Sequence, residues 1–167
     1  MSATPYLALI LLALAAPASA ETAAAPVVSL APEQVRVVDG DTLDISGGGA
    51  EPGRCGLAIA GGERLRIAAI DTPETHAPRC GREAELGAGA TAAARVLLHP
   101  ANTVRVEIRR VGCDRYGRTL ADIVLVRADG ARLDYGAAMI AAGHAIAYAP
   151  GREAWEARRR HWCGEGR

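Results

Sequence analysis

The order of strand and helix patterns along the chain constrains its fold more than any other feature of the sequence. Short runs rich in branched and apolar residues predict strands at 35–38, 42–45, 63–70, 104–108 and 120–126. Patterns free of proline predict helices at 81–98, 133–142 and 153–161. Three strands precede the first helix, and strands and helices do not alternate afterwards, which argues against a βαβ architecture. The sequence therefore predicts an α+β domain.

Composition indicates one globular domain without a global charge signal. The chain has 167 residues, of which 50% are hydrophobic and 23% are charged, so it can bury a core and is too apolar for disorder. Nineteen basic residues, all of them arginine, balance nineteen acidic ones. Net charge therefore does not indicate which class of partner the protein binds. Any attraction for a polyanion has to come from local clusters of arginine.

The amino-terminal segment has the pattern of an export signal. Residues 1–20 carry no charged side chain, hold an apolar run at 6–16 and end in Ala18-Ser19-Ala20, which a signal peptidase can cleave. The run is shorter than the roughly 20 residues that span a bilayer. We read 1–20 as a signal peptide, 21–34 as a flexible leader and 35–163 as the folded domain. The expected product is secreted or periplasmic, monomeric, and free of the membrane after cleavage.

The four cysteines predict disulfides in an exported chain. Cys55, Cys80, Cys113 and Cys163 can form one or two bridges, and three complete pairings are possible. A zinc site is the competing interpretation. It is disfavoured because no two of these cysteines lie within five residues of each other.

The first acidic turn lies between two predicted strands. Asp39-Gly40-Asp41 is an ordinary hairpin turn by composition, but Asp41 is in phase with Leu43 and Ile45 and so points toward the apolar face. An unpaired carboxylate in that position is costly unless a cation or an arginine neutralises it. The pattern therefore predicts a metal ligand at Asp41, and less so at Asp39.

The second acidic turn follows the third predicted strand. In Asp71-Thr72-Pro73-Glu74, proline fixes its own φ and restricts Thr72 to extended geometry, so the segment is a preset turn. Alone, it also fits an ordinary strand exit or helix start. Two carboxylates and a free carbonyl are oxygen ligands of the kind that Ca²⁺ prefers, and a carboxylate left over can act as a base.

Two arginines accompany these turns. Arg66 lies on an alternating strand, and Arg118 ends the charged turn at 114–118, which by itself needs no function. Two planar guanidinium groups can neutralise charge that develops on phosphoryl oxygens. Together, the acids and the arginines predict metal-assisted hydrolysis of phosphodiester bonds. The chain has neither the phosphate loop of a nucleotide-binding protein nor the Gly-x-Ser-x-Gly turn of a serine hydrolase.

The three motifs, at 38–42, 66–75 and 114–118, resemble the staphylococcal-nuclease-like, or thermonuclease, family in sequence and in order. The resemblance extends from about residue 35 to 162. It implies a five-stranded OB-type β-barrel with three packed α-helices, and Ca²⁺-dependent cleavage of DNA and RNA that leaves 3′-phosphates. It further implies these roles: metal ligands Asp41, Asp71 and the Thr72 carbonyl; catalytic residues Arg66, Glu74 and Arg118; substrate-binding residues Tyr116 and Tyr148.

A catalytically silent OB-type module that binds nucleic acid or protein is the alternative. Such a module has no need of both arginines together with the three acids at 41, 71 and 74, and all five are present. Only 4% of residues are aromatic, which also argues against a base-stacking platform. The neutral chain differs from the basic prototype of the family, so binding of long nucleic acids should be more local.

Overall fold

The computed structural model describes residues 27–46, 55, 59 and 61–164. The predicted signal peptide at 1–20, the first part of the predicted leader and most of the glycine-rich connection after Ser46 lie outside these residues.

The described residues form three helices and nine strands, which confirms the α+β class. The strands are β1 Val27–Leu30, β2 Val35–Val37, β3 Thr42–Ile45, β4 Glu63–Ile67, β5 Ile70–Asp71, β6 Arg105–Cys113, β7 Thr119–Val126, β8 Arg132–Asp134 and β9 Ile146–Ala147. The helices are α1 Gly81–Leu98, α2 Tyr135–Ala141 and α3 Arg152–Cys163, and a 3₁₀ turn, Pro32–Gln34, separates β1 from β2.

Seven strands form one mixed sheet. Its order is β1-β6-β7-β4-β3-β2, with β8 added to β7, and β5 and β9 make a separate pair. Strands β4 and β7 run parallel, whereas the other pairs are antiparallel. The sequence predicted five barrel strands. In the described part of the chain the sheet has more strands, and no hydrogen-bonded pairing closes it into a barrel.

Strand β1 lies inside the segment that the sequence predicted to be a flexible leader. Its register places Val28 opposite Ile108 and Leu30 opposite Val106, and Leu30 is buried. The boundary at residue 35 was therefore eight residues too late. A run of only four β-forming residues in an alanine- and proline-rich segment does not by itself predict a strand. Pairing with β6, about 80 residues away in sequence, stabilises this one.

Two other element boundaries differ from prediction. The third predicted strand breaks in two, since β4 ends at Ile67 and β5 starts at Ile70 and pairs with β9. The helix predicted from 133 begins at Tyr135, because residues 132–134 pair with β7. Asp134 is the N-cap of α2, and its side chain accepts a hydrogen bond from the Ala137 N–H at 2.8 Å.

The core lies between the sheet and the helices. Alternate residues of β4, β6 and β7 are fully or almost fully buried, as Leu65, Val106 and Ile123 show. Helix α1 faces this core with Ala90 and Ala94, both completely buried, and these small side chains let the helix backbone come close to its neighbours.

Two disulfides connect distant parts of the chain, as the cysteine count predicted. Cys55–Cys113 joins the long β3–β4 connection to the end of β6, and Cys80–Cys163 joins the start of α1 to the end of α3. The zinc interpretation was wrong, because all four sulfurs are bonded to one another in pairs. The bridges close loops of 58 and 83 residues. In the chain-entropy model each bridge lowers the conformational entropy of the unfolded chain and so stabilises the fold by about 4 kcal/mol. Among the described residues, no helix has the length and apolarity to cross a membrane.

Candidate active site

A polar cleft of about 320 Å³ opens at one end of the sheet. It is lined by the acidic turn before β3, the buried end of β4, the turn after β5, the β6–β7 turn and one side of α3. Seven of the eight predicted site residues line it: Asp41, Arg66, Asp71, Glu74, Tyr116, Arg118 and Tyr148. The eighth, Thr72, is buried beside Asp41.

Arg66 connects the two acidic turns. Its side chain is 11% exposed, and it forms ion pairs with the carboxylates of Asp41 and, at 2.8 Å, of Asp71. Strand β4 presents this side chain because Arg66 pairs in register with Thr42 on one side and Leu120 on the other. Burial lowers the pKa of Arg66 while Asp71 opposes that shift, and the guanidinium remains charged at neutral pH.

Thr72 and Gly40 bring the two turns into contact. The Thr72 N–H donates to Asp41 Oδ2 at 2.8 Å. A Cβ on Gly40 would lie 2.8 Å from Thr72 Cγ2 and 3.0 Å from Ala90 Cβ, so only glycine permits this approach. The hydroxyl of Tyr135, a fully buried residue of α2, donates to the Gly40 carbonyl at 2.8 Å. These contacts fix the first acidic turn against the second.

Helix α1 supports the backbone that carries Glu74. A Cβ on Gly87 would lie 2.8 Å from the Pro73 carbonyl oxygen and 2.9 Å from that of Glu74, so the turn rests directly on the helix. One turn earlier, the fully buried Glu83 accepts a hydrogen bond from the Arg79 N–H at 2.6 Å and pairs with the Arg79 side chain. Burial would raise the pKa of Glu83, but its hydrogen bonds with Arg79 outweigh burial and hold it below the ordinary value.

Arg118 is positioned by the turn that precedes it. The Asp114 carboxylate accepts hydrogen bonds from the N–H groups of Tyr116 and Arg118 at 2.9 and 2.8 Å, and it pairs with Arg118 Nε at 2.7 Å. Gly117 has φ +76°, which permits the tight reversal. The Arg118 guanidinium lies 5.7 Å from the ring centroid of the exposed Tyr116. One carboxylate therefore orients both the arginine and the tyrosine.

Strand β9 and helix α3 complete the cleft from the other side. Strand β9 pairs with β5 in a register that places Ile146 opposite Asp71, and the Tyr148 N–H donates to the Ala69 carbonyl at 2.9 Å. Arg158 of α3 pairs with Asp71 Oδ2 at 2.9 Å and lies 5.7 Å from the Tyr148 ring centroid. Asp71 is therefore held by two arginines, one on each carboxylate oxygen.

The cleft carries an excess of negative charge. Five carboxylates, those of Asp39, Asp41, Asp71, Glu74 and Asp114, line it with three arginines. Burial raises the pKa of Asp39, Asp71 and Glu74, and for Glu74 the charges of Asp39 and Asp71 add to that shift. Glu74 as a whole residue is exposed, but its carboxyl lines the cleft, where neighbouring groups partly desolvate it and solvent weakens the shift. The carboxylates therefore outnumber the guanidinium groups by two. A hard divalent cation requires oxygen ligands that carry negative charge, and this cleft supplies both.

Three charged residues that line the cleft, Asp39, Asp114 and Arg158, were not predicted as site residues. The sequence pattern favours Asp39 less than Asp41 as a metal ligand, and the Asp39 carboxylate accepts a hydrogen bond from the Asp41 N–H at 3.1 Å. Asp114 belongs to the motif at 114–118, so the sequence carries a signal for its place in the site. Arg158 had none, because it stands among three consecutive arginines of α3 and only packing selects it.

A larger hollow of about 810 Å³ lies elsewhere, beside β2 and β3. Among the described residues, the acids that line it are Glu33 and Asp44, and Asp44 is already paired with Arg36 and Arg64. Burial and charge excess therefore favour the smaller cleft as the functional site.

Comparison with known proteins agrees with this geometry. A family model described as staphylococcal nuclease homologue matches residues 64–161, which is more than half of the chain. The match contains Arg66, Asp71, Glu74 and Arg118, and the turn with Asp41 precedes it. No curated protein matches the chain significantly. Both the motif order and the family match lead to one conclusion: this chain belongs to the staphylococcal nuclease family.

Proposed function

We propose that this protein is a secreted or periplasmic Ca²⁺-dependent nuclease that hydrolyses phosphodiester bonds of DNA and RNA and leaves 3′-phosphates. One observation carries the proposal: two acidic turns and two arginines from separate strands and turns converge with Glu74 on one cleft. Membership of the nuclease family supports the same reaction class.

Asp41, Asp71 and the Thr72 carbonyl would hold the Ca²⁺ ion. The donors are all oxygen atoms and the cleft has two more carboxylates than guanidinium groups, so its charge fits a divalent cation, which would replace part of the pairing of Asp41 and Asp71 with arginine. When bound, the ion supplies Lewis-acid stabilisation of the charge on the phosphate.

Arg66 and Arg118 would bind the phosphoryl oxygens of the scissile group. Each is held by a carboxylate in the structure, Arg66 by Asp41 and Asp71 and Arg118 by Asp114, so both are oriented before substrate arrives. A planar guanidinium can donate two parallel hydrogen bonds to a phosphate, and these strengthen as negative charge develops in the transition state.

Glu74 would orient the attacking water and accept its proton. The water oxygen forms a bond to phosphorus as the bond from phosphorus to the 5′ oxygen breaks. The 5′ oxygen leaves as a hydroxyl by taking a proton from bulk water, to which Glu74 later returns the proton it accepted. Its carboxylate lines the cleft together with the acids that would hold the cation, and there it can accept the proton that the water loses.

Tyr116 and Tyr148 would contact the nucleotide beside the scissile phosphate. Both rings line the cleft, and each has an arginine within 6 Å of its centroid. Their exposure leaves them accessible to a base.

An OB-type barrel and export belong to the same proposal. Strands β1 and β2 stand at opposite ends of the sheet path, yet only the turn Pro32–Gln34 and its flanking residue separate them in sequence. That continuity supports a barrel in which one bent segment links both edges. Two disulfides and the apolar segment at 1–20 support an oxidising compartment. We expect a monomer.

Degradation of plasmid DNA and of RNA, each with Ca²⁺ and with excess chelator, tests the function. We expect degradation with Ca²⁺, none with chelator, and 3′-phosphate ends on the products. If degradation is undiminished in excess chelator, the metal assignment is refuted. If the folded protein degrades nothing under either condition, the nuclease proposal is refuted and the binding module becomes the favoured function.

A further inference from the structure

The exposed tyrosine and tryptophan side chains of the described residues lie together. Tyr116, Tyr148 and Trp155 are 70%, 48% and 48% exposed, whereas Tyr135 and Trp162 are buried. All three exposed rings line a groove of about 580 Å³ between the β6–β7 turn and the start of α3. The low aromatic content of the chain argued against a stacking platform, but the few accessible rings are concentrated on one surface.

This groove is positively charged although the chain is neutral. Among the described residues, its lining contains four arginines, Arg115, Arg118, Arg152 and Arg158, and one acid, Asp114; Arg158 also pairs with Asp71 of the cleft. Arg152 also pairs with Glu156 at 3.1 Å, but its side chain is 91% exposed, and a pair so open to solvent exchanges partners at little cost. The local cluster of arginine that a neutral chain needs in order to bind a polyanion is therefore present here.

The groove is continuous with the candidate active site. Tyr116, Arg118, Tyr148 and Arg158 line both the groove and the cleft. Trp155 and Arg152 line the groove but not the cleft, so they extend the surface beyond the proposed catalytic residues.

Trp155 is held in place before any ligand binds. The Arg79 guanidinium lies 5.6 Å from its ring centroid, and Arg79 is fixed by its pair with the fully buried Glu83. The disulfide Cys80–Cys163 ties the end of α3 to the start of α1 beside this pair. A ring that is both exposed and anchored loses little conformational freedom when a base stacks on it.

We propose that Trp155 and Arg152 form an additional subsite for one unpaired nucleotide of a single-stranded nucleic acid whose scissile phosphate occupies the cleft. The base stacks on Trp155, and Arg152 neutralises the adjoining phosphate. Stacking on an aromatic ring needs an open base face, which a duplex does not offer, and it tolerates any base. The subsite rests on the proposed nuclease function and adds a preference for single-stranded substrate.

Binding measurements in excess chelator test the subsite without hydrolysis. The probes are a fluorescein-labelled single-stranded oligothymidylate and a labelled duplex of equal length, followed by fluorescence anisotropy. We expect Trp155→Ala to weaken single-strand binding about five- to one-hundred-fold and Trp155→Phe to retain most of it. Duplex binding should change less than about twofold in both variants, because paired bases offer no open face for stacking.

A matched pair of arginine variants and one spectroscopic signal sharpen the test. Arg152→Ala should weaken single-strand binding, whereas Arg109→Ala, which removes an exposed, acid-paired arginine outside this groove, should not. Trp155 is exposed and Trp162 is buried, so single-strand binding should quench tryptophan fluorescence in the wild type and not in Trp155→Phe. Circular dichroism establishes that each variant is folded.

The outcomes separate this subsite from the nuclease proposal. If the protein hydrolyses nucleic acid but Trp155→Ala binds the single strand as tightly as the wild type, the subsite is refuted and the nuclease proposal is retained. Trp155-dependent binding without any hydrolysis would keep the subsite's stacking role and overturn the nuclease function. Equal losses for single strand and duplex would show that the ring does not stack on a base.

Discussion

The backbone N–H of Thr72 donates a hydrogen bond to the Asp41 carboxylate, with 2.8 Å between nitrogen and Oδ2. This bond joins two acidic turns that are 31 residues apart in sequence. Arg66 spans the same two turns with its ion pairs to Asp41 and Asp71. The spacing of the proposed metal ligands is therefore set by contacts between turns.

Asp41→Asn should weaken Ca²⁺ binding about tenfold or more, because it removes one ligand charge and retains the shape of the side chain. Isothermal titration calorimetry measures the affinity. Asp44→Asn is the matched control, since Asp44 is also an arginine-paired acid but lines the other hollow. Equal affinities of wild type and Asp41→Asn would remove Asp41 from the ligand set.

Gly40→Ala should destabilise the fold by about 1–3 kcal/mol, because the added Cβ overlaps Thr72 and Ala90 in a packed region. Chemical denaturation measures the free energy of unfolding. Gly81→Ala is the control, since a Cβ there meets no atom within 4 Å. If both variants unfold alike, the close approach of the two turns does not depend on glycine.

Arg66→Lys and Arg118→Lys should each lower kcat roughly 100-fold or more, because lysine keeps the charge but loses the planar two-point contact with phosphate. Arg64→Lys, on the same strand but paired with Asp44 at the surface, should retain wild-type turnover. Steady-state kinetics on a short oligonucleotide decides the point. Wild-type turnover in both variants would show that neither guanidinium contacts the transition state.

Glu74→Gln should lower kcat by about 10² to 10⁴ while Ca²⁺ and nucleotide affinities stay within a few-fold, because the amide keeps the shape but cannot accept a proton. Single-turnover kinetics and calorimetry measure the two quantities separately. A loss of nucleotide binding that accounts for the whole loss of activity would identify Glu74 as a binding residue.

The same variant should have the opposite effect on stability. Folding raises the pKa of Glu74, mainly through burial and also through Asp39 and Asp71, so the folded state holds its proton more tightly than the unfolded state. The wild type therefore loses stability as pH rises from the ordinary pKa of 4.5 through the raised pKa of the folded state. Without Ca²⁺ at pH 7, Glu74→Gln should unfold at a higher denaturant concentration than wild type.

The disulfides give a prediction about thiols and stability. Unfolded but unreduced protein should contain no reactive thiol, because all four cysteines are paired. The double variant Cys80→Ser with Cys163→Ser should lose about 2–5 kcal/mol of unfolding free energy, since this bridge fixes α3 to α1. Thiol titration and chemical denaturation measure these two quantities. Four reactive thiols would contradict both bridges and weaken the case for export.

The parts of the fold that depend on local chemistry were predictable from the sequence. The helix at 81–98 has the predicted bounds, because its proline-free pattern ends just before Pro100. The three turns that carry the motif residues could likewise be predicted, because the dipeptides Asp-Gly, Thr-Pro and Tyr-Gly favour particular local backbone conformations. They line the cleft together with the strand residue Arg66.

The remaining features were decided by tertiary structure. Strands β1, β8 and β9 exist because distant partners complete their hydrogen bonds, which no short window of sequence reveals. Alternation put Arg64 and Arg66 on one face of β4, but packing exposed the first and buried the second beside two acids. Packing likewise selected Arg158 from three consecutive arginines and placed Trp155 beside the cleft. Residue types and local turns are properties of the chain itself, whereas burial, charge pairing and the choice of partner arise only when separate segments pack together.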